Sequence, residues 1–585
     1  MKIQEILKKG IPFFILLLFI GTNIFSAEEY DYFTDGKNKI KLSQLPETFD
    51  LRDYNGENFV SSVKSQSGGT CWTFGSVSSI ESNLMMTGMW NKIEDIGEPN
   101  LAEYHLDWWN GFNTFDNKDD PGGSGLEAHY GGDYRVTSAY CSRGDGFVRE
   151  IDGQSFSEPP EFFDSSYHLY YPRDIEWYTV GDELENINLI KQKIMDEGVI
   201  GTCLCYGGSS LFNWTHYYRG SADPNHAVSI VGWDDYKRTM AQNSGAWLCK
   251  NSWGSDWGLD GYFWISYYDI HGGLHDEMGA VSFQDVEPLS YEHIYYHDYH
   301  GWRDTKQNCS EAFNSFIATD NEPVSGVSFF TATNNVNYEL IIYDDFIDNE
   351  LQNEIVSKSG FIPYCGFHTI DLPNFINLNV GDRFYVYLSL SDGGQPYDCT
   401  SEIPVLLGTI STGAIVESKA NPGESFYKEE TGNWVDLITY DDSANFCIKA
   451  LVPKKSDLYV DGNIYLNKVQ PGSTVVTEAF IENVGVSFSK LDWEISEYPD
   501  WGTWTFSDSD GNGLLPEYNK FSINISVEVP DEKNGDFEGN IIIKNSNNPQ
   551  DTAIIPISIT TNKRGSLQSY LEIFNHFILR LLEKI

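Results

Sequence analysis

The hydrophobic pattern of the chain changes near Pro288, and this change limits the folds that the chain can adopt. Upstream, apolar residues recur at helical spacing from Trp72 to Leu84, and strand-like runs begin near Val199. Downstream, short alternating runs separated by turn residues continue to about Thr561. Helices followed by strands predict an α+β domain, and the downstream pattern predicts β-sandwiches.

A chain of 585 residues is long enough for three or four domains. We place the boundaries where the pattern and the composition change. The predicted segments are a signal peptide over residues 1–27, a short polar segment over 28–44, an α+β domain over 45–288, β-sandwiches over 289–453 and 454–563, and a C-terminal amphipathic helix over 564–585.

The N-terminus has the organisation of an export signal. Three lysines precede an apolar run over residues 11–20, and the small residues Ser26 and Ala27 follow it. The alternative is an uncleaved membrane anchor, although the run is short for a membrane span. We therefore expect the protein to be secreted or held at the cell surface.

The C-terminal segment is predicted to be a helix with one narrow apolar face. Ser566 can cap this helix, and apolar residues recur three and four positions apart after it. Charged residues such as Glu572 and Arg580 argue against a membrane-spanning helix. Two alternatives stay open: the helix packs on the preceding domain, or it docks on a membrane surface or a partner.

The charge balance limits the partners of the chain. Lysine and arginine number 38 against 86 aspartates and glutamates, a formal net charge of −48, which argues against nucleic acid. Residues 508–513 resemble the front of a calcium loop, but the twelfth position is Asn519 and not glutamate, so a plain turn is favoured. We expect no metal and no cofactor.

Cysteine is sparse in this sequence, and its nine copies are an odd number, so at least one free thiol is expected. Cys71 stands after a glycine-bearing turn and at the start of the predicted helix. The positive end of a helix dipole lowers the pKa of a thiol and favours the thiolate. The alternative is a buried structural cysteine. Cys203, Cys205 and Cys249 are expected to be buried thiols or strand-linking disulfides.

Two later polar residues complete a possible catalytic set with Cys71. His226 opens an apolar β-run, and Asn251 lies between two strand-like runs. A nucleophilic thiol needs a base for its proton, and a histidine base needs a neighbour that fixes its tautomer. His226 could instead be a satisfied core histidine. His216 is a nearby rival, but it lacks the sequence setting of His226.

These stretches resemble the papain family of cysteine peptidases, in the order in which that family carries them. Residues 66–74 are similar to its nucleophile segment, residues 225–228 to its histidine segment and residues 250–262 to its asparagine segment. Residues 49–52 and 100–103 also resemble segments of that family. The resemblance covers about residues 45–286 and implies a two-lobed catalytic domain.

The resemblance also implies a role for each site residue. Cys71 would be the nucleophile, His226 the acid and base, and Asn251 the residue that orients His226. Trp253 would shield their hydrogen bond from water. Gln66 and the Cys71 backbone N–H would form an oxyanion hole.

The same resemblance places Gly131, Gly132 and Ala227 in the pocket for the P2 residue of a substrate. Bare glycine backbone lets a peptide bond alongside, and small side chains leave room for an apolar group. The alternative is that Gly131 and Gly132 form only a turn.

The sequence departs from the family pattern in three ways. Four residues separate Gln66 from Cys71, where the pattern has five, so the loop before the nucleophile is one residue shorter. The cysteine that normally precedes the nucleophile and anchors a disulfide is absent. The segment before Leu45 is too short for the usual inhibitory propeptide.

The downstream regions carry softer resemblances. Residues 290–453 are similar to a lectin-like β-domain of secreted prokaryotic peptidases, and residues 457–561 resemble an immunoglobulin-type module. We therefore expect an exported cysteine endopeptidase that acts on protein or peptide substrates, with possible glycan, cell-surface or membrane-surface contacts. The alternative is a surface adhesion protein whose peptidase-like domain is inert.

Overall fold

The computed structural model describes residues 32–35, 38–41, 45–93, 95–406, 411–518 and 520–562. The predicted signal peptide, the C-terminal helix and Asn519 of the calcium-like stretch lie outside these residues. The chain forms two compact units, residues 1–46 and residues 47–585. In the first, β1 (Tyr32–Asp35) and β2 (Asn38–Lys41) pair as an antiparallel hairpin.

The α-helices of the second unit lie in residues 47–288, here called the first region. The helices are α1 (Cys71–Thr87), α2 (Met89–Lys92), α3 (Glu103–Trp108), α4 (Tyr134–Ser142), α5 (Glu150–Gly153) and α6 (Ile187–Glu197). Short 3-10 turns occupy Leu51–Asp53 and Leu437–Thr439. None of the helices described is long and apolar enough to cross a membrane.

Helix α1 is the centre of the first region. Every residue from Cys71 to Leu84 is buried, so this part of the helix is covered on all sides. It ends at Gly88, whose positive φ of 66° suits the left-handed cap conformation. The serine and threonine hydroxyls on α1 have hydrogen-bond partners; for example, Ser79 Oγ donates to the Val199 carbonyl, and Ser78 Oγ accepts from Lys250 Nζ. These hydrogen bonds offset the free-energy cost of burying the polar side chains of the helix.

Strand β3 of the first region precedes the helices, and its other strands follow the helices or lie between them. They are β3 (Thr48–Asp50), β4 (Phe147–Val148), β5 (Leu169–Tyr178), β6 (Ile200–Leu204), β7 (Leu211–Phe212), β8 (Thr215–His216), β9 (His226–Asp234), β10 (Ala246–Lys250), β11 (Tyr262–Ser266) and β12 (Ala280–Pro288). Strand β9 pairs with β6 from its first residue, where His226 lies opposite Leu204, and with β10 from Ser229 onward.

Residues 289–453, the middle region, consist almost entirely of strands. These are β13 (Tyr291–Tyr295), β14 (Asp304–Lys306), β15 (Glu311–Ile317), β16 (Glu322–Thr331), β17 (Val336–Ile347), β18 (Glu350–Ile362), β19 (Gly366–Leu378), β20 (Arg383–Leu390), β21 (Gln395–Asp398), β22 (Ser401–Leu406), β23 (Ser411–Val416), β24 (Ser425–Lys428), β25 (Trp434–Asp436), β26 (Asn445–Phe446) and β27 (Ile448–Pro453). One sheet of this region has the order β18-β17-β20-β15-β24-β25.

The other main sheet of the middle region continues into the first region. Its order is β13-β27-β16-β19-β5-β12-β6-β9-β10-β11-β8-β7, with β19 paired antiparallel to β5. At the junction, Phe367 lies opposite Ile175. Gly366 is required there, because a Cβ at this position would lie 1.9 Å from the Ile175 carbonyl oxygen. The sequence analysis predicted separate domains here and did not anticipate that they share a sheet.

The last region, residues 454–562, holds two further sheets. Its strands are β28 (Leu458–Asp461), β29 (Ile464–Val469), β30 (Thr474–Asn483), β31 (Leu491–Glu497), β32 (Thr503–Phe506), β33 (Asp510–Leu514), β34 (Phe521–Glu528), β35 (Asp536–Asn545) and β36 (Asn548–Thr561). The sheets have the orders β28-β30-β34-β32 and β29-β36-β35-β31-β33, and their inward residues form one core. The expected α+β region followed by β-sheet regions is confirmed, while an immunoglobulin-type topology stays a prediction.

Candidate active site

Cys71 is the first residue of α1, and its side chain is only 1% exposed. Its sulfur lies beside the backbone N–H groups of Ala227 and Trp72 and beside its own, which lower the pKa of the thiol. Burial outweighs them and raises the pKa of Cys71 to about 11. The sequence analysis expected the helix dipole to lower the pKa of Cys71, but burial of the thiol is the larger effect and acts in the opposite direction.

His226 and Asn251 form a direct hydrogen bond. Nε2 of His226 and Oδ1 of Asn251 are 2.7 Å apart, and Oδ1 also accepts the Ser252 backbone N–H at 2.9 Å. The Ser252 N–H bond identifies this atom of Asn251 as the amide oxygen, which can only accept hydrogen bonds. The ring must therefore donate to it, so the hydrogen of the neutral imidazole lies on Nε2. Nδ1 is then a lone-pair acceptor, and it is buried with no hydrogen-bond partner among the described residues.

The position of the thiol relative to the imidazole follows from Ala227. This residue comes directly after His226 at the start of β9, and its N–H points to the Cys71 sulfur. No hydrogen bond joins Cys71 Sγ to His226 Nδ1 among the described atoms. Catalytic hydrogen bonds are often long before a substrate binds and tighten only in the complex. The structure therefore brings the three residues to one place.

Burial also sets the protonation state of His226. It lowers the pKa of this imidazole to about 4, while the Asn251 hydrogen bond raises it in part. The imidazole is thus neutral near pH 7 and the thiol is protonated, since burial disfavours a single charge on either group. Transfer of the thiol proton to Nδ1 creates both charges together, and their attraction then stabilises the pair.

Aromatic rings cover the His226–Asn251 hydrogen bond. The Trp253 ring stacks on the imidazole with centroids 4.4 Å apart and planes at 21°. Tyr206 and Trp257 pack edge-on against Trp253 at 4.8 and 5.1 Å. His226 and Asn251 are 1% and 3% exposed. Exclusion of water strengthens the bond that orients the imidazole.

Gln66 is held by its own loop and by the residue after Asn251. Its backbone N–H donates to the Ser252 carbonyl at 2.8 Å, and its Oε1 accepts the Ser252 hydroxyl at 2.6 Å. Its Nε2 donates one hydrogen to the Gly68 carbonyl at 3.0 Å. The second hydrogen on Nε2 is the one that could serve an oxyanion. The role of Gln66 stays a prediction.

Gly131 and Gly132 lie beside the nucleophile loop. Tyr130, just before them, makes a parallel bridge with Gly69, two residues before Cys71. Gly131 and Gly132 have φ values of +110° and +150°, and a Cβ on Gly132 would lie 2.6 Å from the Trp72 ring. They are thus packed against the start of α1 and are more than a surface turn. Their part in substrate binding, like that of the buried Ala227, stays a prediction.

His216 is not available as a base. It is fully buried, with Nδ1 3.0 Å from Asp269 Oδ2 and Nε2 3.1 Å from the Cys205 carbonyl oxygen. All nine cysteines lie in the described part of the chain, and each is a free thiol. The alternative of strand-linking disulfides at Cys203, Cys205 or Cys249 is therefore excluded in this structure.

Sequence reasoning missed a buried charge network next to Asn251. Lys64 Nζ lies 2.7 Å from both Glu81 Oε1 and Glu103 Oε1, and Glu81 also accepts the Ser61 hydroxyl at 2.5 Å. Lys250 Nζ donates to the same Ser61 oxygen at 3.0 Å. The sequence signal for this network is that three of its members lie inside or beside the motifs quoted above, namely Lys64, Glu103 and Lys250. The network anchors the segment that ends in Asn251.

One group of side chains could hold a metal ion by distance alone. Ligand atoms of Asp119, His300 and Asp398 lie within 4.8 Å of one another. Both ring nitrogens of His300 already have partners, the Ser418 hydroxyl at 2.6 Å and the Gly111 carbonyl at 3.2 Å. The group is remote in sequence from the candidate catalytic residues and was not predicted.

Comparison with known proteins matches two parts of the chain to known domain families. Residues 45–103 and 178–281 match the papain family cysteine protease, and residues 294–452 match the lectin like domain. A viral cathepsin of Cydia pomonella granulosis virus is 31% identical over 252 residues, which is 40% of this chain and 62% of the relative. Procathepsin L of Rattus norvegicus is 28% identical over 238 residues, which is 38% and 61% of the two chains. The chain thus spans about three fifths of the length of these curated relatives.

A solved structure shares the fold over a longer stretch. It contains the cysteine protease and lectin-like domains of Cwp84, a surface layer associated protein of Clostridium difficile. It has a TM-score of 0.56 and 22% identity, and it covers 71% of this chain and 90% of the other. By its matches to the two family models, the chain carries a papain family cysteine protease domain followed by a lectin-like domain.

Proposed function

We propose that the protein is an exported cysteine endopeptidase that hydrolyses peptide bonds through Cys71, His226 and Asn251. The observation that supports this most directly is the 2.7 Å bond between His226 Nε2 and Asn251 Oδ1, with the Cys71 sulfur beside the N–H of the next residue, Ala227. This arrangement leaves His226 Nδ1 to take the thiol proton.

In the first half of the reaction, Cys71 Sγ attacks the carbonyl carbon of the scissile bond as its proton passes to His226 Nδ1. The carbonyl electron pair moves to oxygen and gives a tetrahedral oxyanion. The oxyanion collapses, the C–N bond breaks, and His226 delivers the proton to the leaving amine. The products are a free amine and a thioester on Cys71.

In the second half, a water molecule gives a proton to His226 Nδ1 while its oxygen attacks the thioester carbon. Collapse of this second tetrahedral species breaks the C–S bond, and the proton on His226 returns to the sulfur. The carboxylic acid product then leaves. Asn251 keeps the ring in one tautomer throughout, because its Oδ1 holds the hydrogen on Nε2.

Charge on the oxyanion requires donors that are already in place. The Cys71 backbone N–H stands at the open first turn of α1, where it has no helical partner. Gln66 can supply the second donor with the Nε2 hydrogen that Gly68 does not take. Removal of one such donor typically lowers kcat by roughly 100- to 1,000-fold.

The N-terminal pattern and the surface-layer association of the similar clostridial protein support a secreted or cell-surface location. Proteins or peptides are the substrates. The lectin-like region is the part of the chain that would contact glycans or other surface components.

The decisive experiment replaces Cys71 with alanine in the full chain. We expect loss of peptide hydrolysis and loss of labelling by a thiol-directed epoxide, with unchanged thermal unfolding. Cys309→Ser is the matched control, because Cys309 is another buried thiol that lies in the middle region. Unchanged turnover in Cys71→Ala would refute the proposal. Glycan binding by a parent chain without any proteolysis would favour the adhesion alternative.

A further inference from the structure

His129 has a backbone conformation that its side chain does not favour. Its φ is +68°, in the left-handed region that glycine and asparagine occupy most readily. It directly precedes Tyr130, Gly131 and Gly132, which we call the substrate strand because Gly131 and Gly132 are predicted to bind the peptide. Strained residues persist only where their surroundings hold them, and they cluster at functional sites.

Asp107 is the group that holds His129. The backbone N–H of His129 lies 3.1 and 3.3 Å from the two carboxylate oxygens, and its ring Nδ1 lies 2.5 Å from Oδ2. Asp107 is 1% exposed and belongs to the buried helix α3. Burial raises the pKa of this carboxyl, and the contacts with His129 lower it. One buried side chain thus fixes both the backbone and the ring of His129.

Aromatic rings restrict the His129 imidazole further. Phe156 stacks on it with centroids 4.0 Å apart and planes at 24°. Trp108 packs edge-on at 4.8 Å, and Tyr104 packs edge-on at 6.1 Å. The packed imidazole has little room to move, and this restricts the backbone of His129 and of its two chain neighbours.

His129 passes this constraint to the nucleophile loop, residues 66–70. Its carbonyl accepts the Gly69 N–H at 2.7 Å, and the next residue, Tyr130, bridges to Gly69. A Cβ on Gly68 would lie 2.9 Å from both the Cβ and the carbonyl oxygen of His129, so the two segments touch. Every cysteine in the described chain is free, so hydrogen bonds and packing make this connection without a disulfide.

We propose that His129 is a positioning residue that, together with Asp107, holds the substrate strand at a fixed distance from the nucleophile loop. The inference rests on the proposed peptidase function, since it concerns the binding of the acyl part of a peptide beside Cys71. Release of the contact lets the strand and Gly69 separate, which weakens peptide binding before it affects the chemistry at the sulfur.

Two substitutions at position 129 test this. His129→Val cannot adopt a positive φ without strain and loses the ring hydrogen bond to Asp107, while its backbone N–H can still donate to that carboxylate. We therefore expect KM for a peptide substrate to rise about tenfold, the loss of roughly one hydrogen bond. His129→Asn is the matched control, because asparagine tolerates positive φ and its amide can donate to Asp107. We expect KM of the Asn variant within about threefold of the parent.

Alkylation of Cys71 by iodoacetamide provides the second readout, because this small reagent reacts with the thiol without binding along the substrate strand. We expect the ratio of kcat/KM to the alkylation rate to fall about tenfold in His129→Val. A merely structural role predicts a parallel fall of both rates and no rescue by asparagine. Should the valine variant fail to fold, Asp107→Asn keeps the shape of the carboxyl and is measured in its place.

The measurements distinguish failure of the role of His129 from failure of the proposed peptidase function. KM within twofold of the parent in His129→Val, or in Asp107→Asn if that variant is used, overturns the role of His129. Failure of the proposed function looks different, because the parent chain itself would then show neither peptide turnover nor labelling of Cys71.

Discussion

Replacement of Gly132 by alanine should damage the site far more than it damages the fold, because the added methyl group meets the Trp72 ring. A Cβ at position 132 would lie 2.6, 2.8 and 3.0 Å from three atoms of that indole. Carbon atoms in contact prefer about 3.5–4.0 Å. The backbone and the ring must therefore move apart by about 1 Å.

The energy of this change can be estimated from the packing. Trp72 is fully buried, so its ring cannot swing into solvent. Overpacking of this kind costs about 1–3 kcal/mol of folding free energy. The φ of +150° at Gly132 adds strain that only glycine avoids. Trp72 follows Cys71 directly, so a displaced ring also displaces the first turn of α1.

A misplacement of about 1 Å at a reacting atom can cost roughly 100-fold in rate. We therefore expect kcat/KM of Gly132→Ala to fall on the order of 100-fold, with the free energy of unfolding lower by about 1–3 kcal/mol. The assay is hydrolysis of a fluorogenic peptide, with thermal unfolding measured on the same sample. Gly208→Ala is the matched control, because no described atom lies within 4 Å of a Cβ there and its φ is not positive. A kcat/KM within threefold of the parent would refute this account of the packing.

Two further predictions concern pH and domain structure. Because burial lowers the pKa of His226 to about 4, the ring is neutral above that pH and can accept the thiol proton, so kcat/KM should fall as the pH drops through about 4. Asn251→Ala removes a bond that raises this pKa and should move the midpoint lower; a midpoint near 6.5 in the folded parent would contradict the assignment. A chain that ends at residue 288 leaves the β5 edge unpaired and should aggregate in size-exclusion chromatography, whereas a chain that ends at 453 should stay monomeric. A monomeric, stable 1–288 chain would show that the shared sheet is dispensable.

The sequence allowed the candidate catalytic residues to be found because each stands in a short motif of its own. Cys71 follows a glycine turn, His226 begins an apolar strand and Asn251 precedes a tryptophan-glycine stretch. None of these motifs requires knowledge of distant contacts. The structure then shows that β9 and β10 are neighbours, which brings His226 and Asn251 within hydrogen-bond distance.

Features that depend on distant contacts could not be predicted in the same way. The pKa of Cys71 depends on how completely the folded chain excludes water from its sulfur, and helix position alone gave the wrong direction. Asp107 and His129 are 22 residues apart, and neither belongs to a motif. The pairing of β5 with β19 joins segments about 190 residues apart, and no local pattern sets that register.

The continuous sheet has a consequence for how the protein would meet a large substrate. Because β5 and β19 are hydrogen-bonded neighbours, there is no hinge at the β5–β19 junction about which the lectin-like region could swing. If the lectin-like region binds a polymer, the bound segment would lie at one fixed distance and direction from Cys71. The part of such a polymer that reaches the sulfur would then be set by the length and flexibility of the polymer itself.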